Sequence, residues 1–128
     1  MPDVLVDTSA WIEFFGRPRS EAAETVDRLL KEDQVCVTGV VLAELVQGTR
    51  TTQERALLLG RLQALRHLET TQEIWVTAGA LAATLRQQGL TLPLTDIVMA
   101  AVAQVHDCAL YATDVHFTHI PHLRLYRP

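Results

Sequence analysis

Four carboxylates stand where solvated charge does not belong. Asp7 closes the apolar run Val4-Leu5-Val6, and Glu44 interrupts Val40-Val41-Leu42-Ala43 and Leu45-Val46. Asp96 opens the apolar stretch from Ile97 to Val102, and Asp114 follows Ala109-Leu110-Tyr111-Ala112 after a single Thr113. Each has a commonplace reading: a helix cap for Asp7, an ion pair with Arg50 for Glu44, contact with a helix dipole for Asp96, a turn for Asp114. Taken together they point further. Glu44 shares a helix face with Val40 and Val41, and a buried carboxylate is costly unless a cation or metal faces it. Carboxylates gathered without Cys or suitably placed His favour hard, oxygen-liganded cations, Mg²⁺ or Mn²⁺, over zinc. Such an ion binds phosphate oxygens, lowers the pKa of an attacking water and stabilises the leaving oxygen, which is the chemistry of phosphodiester hydrolysis.

The elements that must position these acids follow from apolar patterning. Val4–Val6, Val35–Val37 and Ala109–Ala112 are short, continuously apolar runs, the pattern of strands buried on both faces. Leu123–Tyr126 suits a fourth strand at the sheet edge. Between them, helical patterns cover Thr8–Phe15, with Trp11, Ile12 and Phe15 on one side; Glu21–Lys31, capped by Ser20, with Ala22, Val26, Leu29 and Leu30 inward; and Val40–Gln47, with Thr38 as cap. Further helices run from Thr51 or Thr52 to about His67, from Gln72 to Gln88 with Gly89 as stop, and from Asp96 to about His106 with Thr95 as cap. Ala78, Gly79, Ala82 and Ala83 would let the second of these approach a neighbour closely. Strands alternating with helices imply an α/β fold with a parallel sheet covered on both sides. In such folds the carboxyl ends of the strands face the ligand crevice, so Asp7 and Asp114 point at whatever binds there.

The 128 residues suit one domain, residues 1–128, and 48% are hydrophobic, enough for a core. A net charge of −4 argues against a protein that coats nucleic acid. It does not argue against a nuclease, because a bound cation reverses the local sign. Ten of the eleven basic residues are Arg, with Lys31 the exception; Arg suits bidentate phosphate contacts, and a GC-rich genome gives the same bias. Cys36 and Cys108 lie in apolar surroundings without a Cys-x-x-Cys motif, as reduced thiols of a cytoplasmic protein would. Asp3 and Asp7 break any signal-peptide core, and no apolar run approaches the roughly 18 residues of a membrane span.

Four local patterns in order resemble the PIN domains, and specifically the toxin ribonucleases of VapBC toxin–antitoxin pairs. They are Val4-Leu5-Val6-Asp7-Thr8-Ser9-Ala10-Trp11-Ile12-Glu13, Val41-Leu42-Ala43-Glu44-Leu45-Val46-Gln47-Gly48, Leu94-Thr95-Asp96-Ile97-Val98-Met99-Ala100-Ala101 and Ala112-Thr113-Asp114-Val115-His116-Phe117. The resemblance covers essentially the whole chain. It implies a three-layer α/β/α fold around a short, mainly parallel sheet. It implies Asp7, Glu44, Asp96 and Asp114 as catalytic, metal-binding acids for Mg²⁺ or Mn²⁺, with Thr8 and Ser9 supporting the metal shell. The implied activity is endoribonuclease cleavage of RNA, often tRNA or ribosomal RNA, by a homodimer or hetero-oligomer silenced by a cognate antitoxin whose tail crosses the active-site groove. Family members often carry Thr two residues before the fourth acid, where this chain has Ala112.

Other features read as ordinary. His116, His119 and His122 recur every third residue, but Pro121 disrupts a helix there, so a solvated loop or a packed His is the better reading than zinc. Trp75 and Leu81 suit core packing rather than base stacking. Arg17, Arg19 and Arg50 are either scattered solvated charges or the lining of an RNA groove. A second class, a PIN-fold interaction module without catalysis, has no reason to keep Glu44. A phosphatase with an Asp nucleophile wants a second Asp where Ser9 stands.

Overall fold

The computed structural model describes residues 3–128. Its centre is a four-stranded, all-parallel sheet in the order β3-β2-β1-β4. The strands are β1 (Val4–Val6), β2 (Val35–Thr38), β3 (Arg66–Leu68) and β4 (Ala109–Tyr111). The helices that flank them are α1 (Thr8–Gly16), α2 (Glu21–Lys31), α3 (Gly39–Gln47), α4 (Thr52–Leu62), α5 (Gln72–Gln87) and α6 (Leu94–Val105), and a 3₁₀ turn spans Val115–His119.

The central strands are apolar throughout because both faces are covered. Val4, Leu5, Val6, Val35, Cys36, Val37 and Leu110 are all buried. Leu5 pairs with Cys36 on one side and Leu110 on the other. Both leucines are fully buried, so truncating either to Ala costs about 2–5 kcal/mol. The chain leaves β1 toward β2 and β3 on one side, and β4 lies on the other. The switch in direction therefore falls between β1 and β4, where α/β sheets open their ligand crevice. The backbone N–H of Asp7 donates to Tyr111 O at 2.8 Å and ties those two strand ends together.

Local chemistry sets the helix ends. Ser20 caps α2 through Ala23 N, and Thr51 caps α4 through Glu54 N. Gly89 takes φ +83° beyond α5, a conformation that favours glycine at a helix end.

Several expectations are corrected. The fourth helix stops at Leu62, and Arg66–Leu68 leave it to form edge strand β3. The strand was hidden because only Leu68 of the three is buried. Leu123–Tyr126 contributes a single parallel bridge, Leu110 to Leu125, rather than a strand. Thr38 precedes α3 without a side-chain cap; its hydroxyl donates to Leu68 O at 2.8 Å instead. The sixth helix begins at Leu94 directly after Pro93, so Thr95 lies inside it and caps nothing. On α5, Ala78 is buried, but a Cβ at Gly79 would meet nothing within 4 Å. Trp75 is 51% exposed rather than in the core, whereas Leu81 packs against it. Of the three α1 side chains expected on the inward side, Trp11 is buried, while Ile12 and Phe15 are 59% and 39% exposed. Trp11 stacks on Phe15 and meets Phe14 edge-on, and its Nε1 is buried without a hydrogen-bond partner. No helix among the described residues is long and apolar enough to cross a membrane.

Candidate active site

The crevice at the β1–β4 switch collects side chains from four separate segments. Asp7 sits at the end of β1, is 4% exposed, and accepts at Oδ2 from the Ser9 backbone N–H (3.2 Å) and from the Ser9 hydroxyl (2.6 Å). It caps α1 as well as facing the crevice. Burial raises its carboxyl above the ordinary 3.8, and the Ser9 hydrogen bonds oppose that rise.

Asp96 lies in the first turn of α6, half-buried. Its carboxyl is also raised, first by desolvation, opposed by a hydrogen bond from His116, and raised further by the negative charges of Asp114 and Glu44. Asp7 feels Asp96 in the same way. Asp96 is thus the acid that interacts with the other three. Asp114 is exposed, caps the 3₁₀ turn, and accepts from His116 N at 2.9 Å.

Glu44 is half-buried on α3 rather than sealed against the core; Val41 and Leu45 take the core positions. Its partner is not Arg50. The Thr8 hydroxyl donates to Glu44 Oε1 at 2.7 Å across thirty-six positions of sequence. Arg50 instead donates its backbone N–H to Glu54.

The structure therefore brings Asp7, Glu44, Asp96 and Asp114 to one end of the sheet, and it adds His116, expected from sequence only as a solvated or packed side chain. His116 Nδ1 lies 3.3 Å from Asp96 Oδ2 and 3.3 Å from Asp114 Oδ1. Among the described residues, Asp96, Asp114 and His116 form the group whose ligand atoms lie within 4.8 Å of one another. The signal in the sequence was its place two residues after Asp114, weighed there only as part of a repeating histidine pattern. His119 and His122 are exposed and stand outside this group. Four carboxylates from separate segments and an imidazole form a donor set suited to a divalent cation.

Beside Glu44 a groove of about 560 Å³ runs between α1, α3 and α4, lined by Ile12, Phe15, Leu45, Leu57, Leu58 and Arg61 among others. The Arg61 guanidinium stands 5.1 Å from the Phe14 ring centre and 5.7 Å from that of Phe15, a cation–π arrangement. Neither the groove nor this Arg was visible in sequence, because α4's apolar residues read as an inward face. Arg17 is an exposed partner of Glu13 at 3.9 Å. Cys36 and Cys108 are buried free thiols, both pushed up to about 11 by burial.

Fold and crevice together define a nuclease-type α/β domain, and the profile of the PIN domain matches residues 4–123. The chain belongs to the PIN-domain family. It is 31% identical over 121 residues to Ribonuclease VapC11 of Mycobacterium tuberculosis, covering 89% of this chain and 88% of that protein. Its fold matches VapBC from Salmonella typhimurium (TM-score 0.82, 20% identity, 98% of each chain) and VapBC2 from Rickettsia felis (TM-score 0.81, 22% identity, 96% of each chain). Within the family it is a VapC-type ribonuclease, the toxin of a toxin–antitoxin pair.

Proposed function

We propose that the protein is a Mg²⁺- or Mn²⁺-dependent endoribonuclease that cuts tRNA or ribosomal RNA in the cytoplasm and thereby arrests translation. Asp7, Glu44, Asp96 and Asp114 would hold the cation. The observation that carries this reading is the hydrogen-bonded convergence of separate segments on one crevice: Thr8 holds Glu44, Ser9 joins Asp7 to the Thr113 backbone, and His116 Nδ1 lies 3.3 Å from both Asp96 and Asp114. When bound, the cation supplies an activated water and charge neutralisation at the phosphate. The chain's residues do the rest. Asp7, buried and fixed through Ser9, holds an immobile carboxylate beneath the crevice. Thr8 aims Glu44 at it from the groove side. Asp114 and His116, on the 3₁₀ turn, close the opposite side.

The cognate antitoxin is proposed to silence the enzyme by laying an apolar segment in the α1–α3–α4 groove. Exposed Ile12, Phe15 and Leu57 support this, since such patches mark binding surfaces. A basic side chain entering beyond Glu44 would meet the acids. Trp75 and Val76, 51% and 66% exposed on α5, offer a second copy of the chain an apolar face.

The test is cleavage of total RNA and tRNA by antitoxin-free protein, with Mn²⁺, with Mg²⁺ and with EDTA, beside Asp7→Asn and Asp96→Asn. Cutting that requires metal and disappears in both variants is the expected result. Folded wild-type protein that cuts no RNA, in solution or on induction in cells, would overturn the reading in favour of a PIN-fold interaction module.

A further inference from the structure

We infer that His116 is a nitrogen ligand of the catalytic cation and tilts the site toward transition ions over Mg²⁺. The inference rests on the metal-site reading above and deepens it.

The spacing of the three side chains would admit a shared cation. Around a cation with bonds of about 2.0–2.3 Å, neighbouring ligand atoms stand about 2.8–3.3 Å apart in an octahedral arrangement and about 3.3–3.8 Å apart in a tetrahedral one. His116 Nδ1 lies 3.3 Å from Asp96 Oδ2 and 3.3 Å from Asp114 Oδ1. It thus sits one polyhedron edge from each of two proposed carboxylate ligands. A cation could meet all three atoms with only small side-chain movement.

The placement is built rather than incidental. Asp114 caps the 3₁₀ turn by accepting from the His116 backbone N–H at 2.9 Å, which fixes the two residues relative to each other. Phe117, the next residue, is 1% exposed and pins the turn to the core. His116 itself is half-buried over Asp96, while His119 and His122 are exposed.

An all-carboxylate shell suits Mg²⁺, which takes oxygen ligands and keeps its waters. One imidazole nitrogen changes the balance, because imidazole suits later first-row ions and affinity rises along that series. Co²⁺, and to a smaller degree Mn²⁺, should therefore gain on Mg²⁺ here relative to a site of four acids. The competing arrangement is a hydrogen bond alone, with Nδ1–H donating to Asp96 and the imidazole remaining outside the shell when metal binds.

Pulsed EPR of the Mn²⁺-loaded protein separates the two. The expected result is ¹⁴N modulation on bound Mn²⁺ that moves to ¹⁵N frequencies in ¹⁵N-histidine-labelled protein and is absent in His116→Asn. In parallel, titration should show His116→Asn weakening Mn²⁺ binding by about tenfold or more while Mg²⁺ binding changes far less. Bound Mn²⁺ without nitrogen modulation overturns the inference and leaves the carboxylate site intact. Equal losses for Mn²⁺ and Mg²⁺ in the variant also overturn it. No Mn²⁺ binding at all overturns both this inference and the metal-site reading. Should the variant fail to fold, the labelled wild-type spectrum still decides.

Discussion

The Thr8 hydroxyl hydrogen-bonds Glu44 Oε1 at 2.7 Å and so joins the first turn of α1 to the middle of α3. Glu44 has a long side chain, lies half-exposed beside an apolar groove, and needs this anchor to hold one rotamer. Thr8→Val keeps the shape and removes the donor. A single such bond is worth about 1 kcal/mol net, so the melting temperature should change by only a few degrees. Cleavage should suffer more: kcat should fall about tenfold, while Thr8→Ser retains most of it. A Val variant as active as wild type would show that Glu44 needs no orientation.

Ser9 works in the other direction. Its hydroxyl donates to Asp7 at 2.6 Å and accepts from the Thr113 backbone N–H at 3.1 Å. It thereby clips the β1–α1 junction to the turn that carries Asp114 and His116. Ala112 leaves the end of β4 without a hydroxyl, and Ser9 meets the backbone there from across the crevice. In Ser9→Ala the exposed Thr113 N–H exchanges this partner for water, at a net cost of about 0.5–1.5 kcal/mol. Amide exchange at Thr113 should accelerate in the variant while exchange in β2 does not. Unchanged protection at Thr113 would contradict the clip.

Much of this arrangement was legible in sequence. The buried strands announce themselves because β1 and β2 are apolar on both faces, and the four acids stand out because each interrupts or bounds an apolar run. What was hidden depends on tertiary partners. Arg66–Leu68 reads as a helix tail because an edge strand with one buried residue carries no period. Ile12 and Phe15 read as core because an amphipathic pattern does not distinguish a core from a groove. Trp75 read as core for the same reason. His116 does not stand out in sequence because its value comes from Asp96, twenty positions away, which no local pattern joins to it.

Asp7 gives a prediction whose sign follows from its raised carboxyl. Burial holds the folded-state value above 3.8, so the folded protein binds the proton more tightly than the unfolded chain does. Stability contributed by Asp7 is present below 3.8 and is lost as pH rises through the raised value. Asp7→Asn carries no such penalty and can still accept from Ser9. In metal-free buffer the variant should therefore melt above wild type at neutral pH, with the difference shrinking as pH falls toward 3.8. Melting curves of both proteins across that range check it. A variant less stable at every pH would mean that the Asp7 charge is compensated within the protein.

Adding metal should reverse that order. A ligand that binds only the folded state stabilises it by about 2.7 kcal/mol at one hundred times its dissociation constant. Wild-type protein should gain a melting shift of several degrees with Mn²⁺. Asp7→Asn and Asp96→Asn should gain little, because each removes a charge from the set that attracts the ion. Equal shifts in wild type and both variants would place the bound metal elsewhere.

The groove yields a prediction that separates silencing from chemistry. Leu57 on α4 is 68% exposed and lines the groove with Ile12 and Phe15. An exposed substitution of this kind costs the folded chain no more than about 0.5 kcal/mol. A charge set against an apolar partner segment costs the complex more, because the carboxylate must be desolvated on binding. Leu57→Asp should therefore weaken the cognate antitoxin by about ten- to a hundredfold in Kd, measured by calorimetry on the purified pair. Val105→Asp, at a 40% exposed position on α6 outside this groove, should leave that Kd within about twofold. Co-expression gives the same comparison in cells: growth arrest should escape the antitoxin with Leu57→Asp and not with Val105→Asp. If Leu57→Asp binds the antitoxin as tightly as wild type, the partner docks on another face, and the exposed α5 surface around Trp75 is the next to test.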